Sequence, residues 1–97
     1  MTSRADRIAT VLTQAFSPVL VRVEDDSARH AGHAGAAPGG QTHYMVLLVA
    51  AAFAGQQRVT RARAVHGALA AEFTDGLHAL SLTLRTPAEH AAATQCG

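Results

Sequence analysis

The stretch HYMVLLVAA, from His43 to Ala51, is apolar at nearly every position. Alternate side chains of a strand point to opposite faces, so both faces of this one are apolar. A strand of that kind belongs in the middle of a sheet. The rest of the chain must supply its neighbours.

On the N-terminal side, VLVRVEDD (19–26) alternates Val19, Val21 and Val23 with Leu20, Arg22 and Glu24, which predicts a strand with one buried face. Before it, Ala5, Ile8, Ala9, Leu12, Ala15 and Phe16 recur at helical spacing. Ser3 with Asp6 resembles a capping box, and Pro18 disfavours helix at Ser17, so a first helix should stop near Phe16. On the C-terminal side, FAGQQ (53–57) is a turn. A second helix follows, with Thr60 as candidate cap and Ala62, Val65, Leu69 and Phe73 on one face. Thr74 to Gly76 end it, Gly76 suiting a left-handed cap. LHALSLTLR (77–85) is a third strand, with His78, Leu80, Leu82 and Leu84 on one face. Thr86, Pro87 and Glu89 start a short last helix with an N-cap, a first-position proline and a capping box. The tail after His90 is alanine-rich and should fray.

The order is αββαβα. Three strands with helices on one face make an α+β sandwich. The 97 residues form a single domain, with a core at about 3–90 and a flexible tail at 91–97. About half the residues are apolar, many of them alanine, so the core is thin.

The net charge of +1 is too small to force a nucleic-acid or membrane reading. All eight positive charges are arginine. The single cysteine, Cys96, cannot form an internal disulfide. The N-terminus has no apolar signal core, and the longest apolar run, Met45 to Ala54, is far short of a membrane span. A soluble, cytoplasmic protein is expected.

No nucleophile motif, phosphate loop or HExxH is present, and the acids are scattered. An enzyme acting alone has little support, and Cys96 has no basic neighbour to lower its pKa. The unusual residue is histidine, six in the chain. His30 and His33 lie in a long segment from Asp25 to about Gln41 that contains four glycines and a proline, and His43 follows it. A structureless loop of this length is uncommon and is usually functional or disordered. Histidine is the commonest metal ligand. His78, opening the third strand on its leucine face, should lie at the sheet edge near the core, either bonded to a nearby carbonyl or as a fixed ligand. With a loop histidine as partner it would form a half-site completed by something else. Arg58, Arg61 and Arg63 invite a nucleic-acid reading. Arg61 and Arg63 fall roughly 100° to either side of the apolar stripe, however, and no aromatic is interleaved. Solvated arginines beside a core helix are the plainer account.

Together the motifs resemble those of the BolA family. They are Ser27-x-x-His30 in the loop, Thr42-His43-Tyr44 entering the second strand, Phe53-x-Gly55, Arg61-x-Arg63, and His78-Ala79-Leu80 opening the third strand. The match runs in order over about residues 3 to 90. The resemblance implies a fold like the class II KH domain, with a three-stranded mixed sheet. It also implies a monothiol glutaredoxin as partner and a shared [2Fe–2S] cluster, with ligands from the glutaredoxin cysteine and from glutathione. On this chain it implies His78 and a loop histidine: His30 first, His33 and His43 as alternates. No cluster is expected in the isolated chain, which would be a monomer or weak homodimer. Imidazole in place of thiolate raises a cluster's potential and makes the site pH-sensitive. One position departs: the family's Arg-His-Arg has alanine at Ala62, which puts that histidine's role in doubt. The alternative function is a KH-like, DNA-binding transcriptional regulator, although a KH domain clamps backbone with Gly-x-x-Gly and FAGQQRVT has one glycine.

Overall fold

The computed structural model describes residues 3–25 and 43–95. Helix α1 spans Arg4–Phe16, strand β1 Leu20–Asp25 and strand β2 His43–Val49. A 3-10 turn at Ala51–Phe53 leads to helices α2 (Arg58–Ala68) and α3 (Ala70–Thr74), strand β3 (Ala79–Arg85) and helix α4 (Pro87–Gln95). The sheet order is β1-β2-β3. β1 runs antiparallel to β2, and β3 runs parallel to it. The sheet is therefore mixed and β2 is central, as its composition predicts. A parallel neighbour needs a crossover, which α2 and α3 provide.

Local chemistry sets the ends of these elements. The Ser3 hydroxyl accepts the Asp6 N–H at 3.1 Å, and the Asp6 carboxylate accepts the Ser3 N–H at 3.4 Å, completing the capping box. Ser17, in front of Pro18, stops α1 in the left-handed region at φ +47°. Thr86 and Glu89 form the reciprocal pair that opens α4, at 2.8 and 3.1 Å. α4 continues to Gln95, past His90 where fraying was expected.

The core lies between one sheet face and the helices. Tyr44, Val46 and Leu48 of β2 meet Ile8 and Leu12 of α1, Val65 of α2, and Leu69 and Phe53. Several details depart from the sequence reading. The other face of β2 is only partly covered: Val49 at its end is fully buried, but Met45 is 37% exposed and Leu47 half-buried. Arg22 and Glu24 on one flank, and Ser81 and Thr83 on the other, stand in register beside Leu47 and Met45. Val19 is 69% exposed: it precedes the first residue of β1, though its N–H still donates to the Val49 carbonyl at 2.8 Å, while Val21 and Val23 pack on the core. The second helix starts earlier than Thr60, with Gln57 as its extended N-cap residue, and breaks at Leu69, two residues after Gly67, the weakest helix former in the segment. Its buried positions are Arg61, Val65, Leu69 and Glu72, so the inward stripe holds Arg61 where the apolar count pointed to Ala62.

Candidate functional site

The parallel register of β2 and β3 sets His43 beside Ala79. His78, the residue before Ala79, thus falls at the same end of the sheet. The two imidazole rings approach to 6.2 Å between centroids, nearly edge to face at 63°. His43 is half-buried and His78 exposed. His78 therefore does not continue the leucine face into the core, as expected from alternation. The reason is the turn in front of it. Asp75 ends α3, and Gly76 has φ +117°, a value glycine tolerates. The Leu77 N–H donates to the Glu72 carbonyl at 2.9 Å and the Gly76 N–H to the Phe73 carbonyl at 3.4 Å, a Schellman closure. Leu77 takes the buried place at 3% exposure, and the strand starts only at Ala79.

β1 ends at Asp25, paired across from Tyr44. Asp25 and His43, the described residues on either side of 26–42, therefore lie at the end of the sheet where the two rings meet. His30 and His33 lie outside the described residues, as does Cys96. Tyr44 is buried beneath this end, where burial, with a smaller contribution from the Asp25 carboxylate, pushes its phenol upward and keeps it neutral. Among the described residues no group of three or more His, Cys, Asp or Glu side chains could hold a metal. Metal–nitrogen bonds near 2 Å put two imidazole centroids on one tetrahedral ion roughly 5 Å apart, so the two rings, 6.2 Å apart, would have to close by roughly 1 Å to share one.

The three arginines of α2 separate. Arg58 and Arg63 are exposed, whereas Arg61 is 7% exposed and is no solvated flank residue. Its guanidinium donates to Glu89 at 2.6 and 3.2 Å, to the Gln56 carbonyl at 3.0 Å and to the Leu84 carbonyl at 3.2 Å, and it lies 5.7 Å from the Phe53 ring centroid. Arg58 and Arg61 line a cavity of about 580 Å³ with Leu82, Leu84, Arg85 and Glu89. The Arg61 hydrogen bond first, then the Thr86 N–H, holds the Glu89 carboxyl down at about 2 against the ordinary 4.5. A carboxylate so depressed stabilises the fold fully above its ordinary value and loses that contribution as pH falls through the folded value. The melting-temperature gap between the chain and Glu89→Gln should be constant above about pH 5 and close between 4.5 and about 2. Thermal melts across that range check this; a gap undiminished at the acid end would contradict it.

Sequence reading named neither Arg4 nor Glu72, the other buried charged residues. Arg4 could have been found by its spacing of four and eight from Ile8 and Leu12. Among the described residues no helix is long and apolar enough to cross a membrane.

Comparison with known proteins gives a consistent picture. A family model described as BolA-like protein matches residues 12–89. The chain is 43% identical over 91 residues to SufE-like protein 1, chloroplastic/mitochondrial, of Arabidopsis thaliana, covering 90% of this chain and 24% of that protein. It is 40% identical over 89 residues to the Arabidopsis thaliana protein BOLA1, chloroplastic, covering 90% of this chain and 56% of that one. The chain thus spans about a quarter and little more than half of these two relatives. The solved BolA domain of SufE1 from Arabidopsis thaliana superposes with a TM-score of 0.81 at 42% identity, over 92% of this chain and 98% of the domain.

Proposed function

The chain belongs to the BolA family, and from that premise we propose that it is an adaptor: it binds a monothiol glutaredoxin and co-ligates a shared [2Fe–2S] cluster through histidine, in iron–sulfur cluster assembly and trafficking or in iron regulation. The observation that carries the reading is the 6.2 Å approach of the His43 and His78 rings. It sets His43, which follows the Ser27-x-x-His30 motif in the sequence, beside His78.

His78 supplies a ligand from a backbone held between a closed turn and a strand. Its exposure leaves the ring open to an incoming partner. The second imidazole comes from segment 26–42 or its root, with His30 first and His33 and His43 as alternates. Two imidazoles and two thiols brought by the partner and glutathione complete the ligand set. Bound there, the cluster supplies a redox-responsive centre whose potential the imidazoles raise. Proton uptake by the imidazoles competes with ligation, so the chain itself makes the site sensitive to acid.

The test is reconstitution of the chain with a monothiol glutaredoxin, glutathione, iron and sulfide, followed by visible circular dichroism. A mixed-cluster spectrum should develop in the mixture and not with the chain alone. Failure of the unmodified mixture to form a cluster-bearing heterodimer would sink the proposal. Within it, His30→Ala should lose most of the signal while His33→Ala and His43→Ala retain it. Retention in His30→Ala with loss in one of the others would move the ligand to that residue. The DNA-binding alternative through Arg58, Arg61 and Arg63 draws less support, because Arg61 is spent on Glu89 and two carbonyls.

A further inference from the structure

Two buried charged residues, Arg4 and Glu72, are 8% and 9% exposed. Charges at such depth cost desolvation that an apolar pair would avoid. Arg4 is the first residue of α1, where a cation meets the unfavourable end of the helix dipole. Its compensation lies across the core. One guanidinium nitrogen donates to the Glu72 carbonyl at 3.3 Å and to Glu72 Oε1 at 2.9 Å, and the other donates to the Asp75 carbonyl at 3.1 Å. Arg7 grips the same carboxylate, Nε to Oε2 at 3.0 Å and Nη2 to Oε1 at 3.0 Å. Both carbonyls belong to the end of α3 and its cap, the pole that favours a cation. The Glu72 carbonyl also accepts the Leu77 N–H. Gly76 is so close that a Cβ on it would lie 3.4 Å from Arg4 Nη2. The turn from 72 to 77 is therefore tied to α1 by the Arg4 guanidinium.

That turn leads directly into His78. On the C-terminal side, Ala79 is held in register beside His43. On the N-terminal side, the backbone is held by the clamped turn. We infer that Arg4 and Glu72 are positioning residues for His78, fixing the entry to β3 so that the His78 ring stays beside His43. The functional meaning rests on the ligand reading of His78; the geometric claim can be tested in the chain alone.

Nuclear magnetic resonance of the chain with isotope-labelled histidine reads it without a partner. Arg4→Met keeps an apolar stem on the stripe and removes the fork of donors. Glu89→Gln disrupts the Arg61 ion pair elsewhere in the fold and serves as control. The unmodified chain and Glu89→Gln should show a ring-to-ring Overhauser contact between His43 and His78. Arg4→Met should lose it and shift the His78 signals towards those of a solvated imidazole, while core methyl signals stay dispersed. In the glutaredoxin mixture, Arg4→Met should release iron to a chelator faster by on the order of tenfold, the scale of losing an outer-shell support. Arg4→Lys, with one donor group restored, should fall between. A surviving contact in folded Arg4→Met overturns the inference. If Arg4→Met does not fold, Glu72→Gln is read by the same criterion. If the contact is lost as expected but even the unmodified mixture holds no cluster, the positioning claim stands and the ligand reading fails.

Discussion

His78→Ala is expected to abolish the mixed-cluster spectrum with a monothiol glutaredoxin while leaving the fold intact. His78 is exposed and precedes β3, so its side chain contributes little to packing. Surface substitutions of that kind change stability by about 0.5 kcal/mol or less. Loss of a direct ligand should cost more than about tenfold in cluster occupancy, beyond what loss of an outer-shell partner costs. Thermal melts and visible circular dichroism on one preparation check both halves. A full spectrum in folded His78→Ala would remove His78 from the site.

Phe53→Ala should do the reverse. Phe53 is fully buried after the C-terminal end of β2, tilted at 43° against Phe16 at 5.3 Å between centroids and capped by Arg61. Truncating such a ring costs about 3–5 kcal/mol. Native domains hold only about 5–15 kcal/mol in all, and in one of this size the melting temperature should fall by on the order of 20 °C. Phe53→Leu, closer in volume, should cost less. β2 separates Phe53 from His43 by roughly 20 Å at about 3.3 Å per residue. Chains of Phe53→Ala that remain folded at low temperature should therefore still form the mixed cluster. Melts paired with reconstitution below the transition test this; a stable fold in Phe53→Ala, or a folded chain without cluster, would contradict it.

Elements bounded by local chemistry were legible. The Ser3–Asp6 and Thr86–Glu89 boxes need only residues three apart, and Gly76 announces its left-handed turn. The central place of β2 followed from its apolar run. Which side of β2 is covered did not, because Met45 and Leu47 are as apolar as Val46 and Leu48 and only the helix arrangement distinguishes them. The phase of α2 was misread for a related reason. Arg61 turns inward because Glu89, two carbonyls and the Phe53 ring receive it, and the Leu84 carbonyl and Glu89 lie 23 and 28 positions along the chain. The histidine pair was half legible. His78 stood out at the entrance of a strand, and His43 at the entrance of another. Their approach depends on the parallel register of two strands joined by a crossover, for which no short motif speaks. The Arg4 clamp was invisible for the same reason, since its acceptors lie 68 and 71 positions away.

The most direct test of the central claim is pulsed electron paramagnetic resonance on the reduced cluster of the glutaredoxin mixture, with the histidines of this chain labelled with nitrogen-15. The account predicts strong nitrogen-15 couplings from two imidazole nitrogens, absent when the same chain carries unlabelled histidine. A spectrum without histidine couplings, that of a cluster held by thiolates alone, would contradict it.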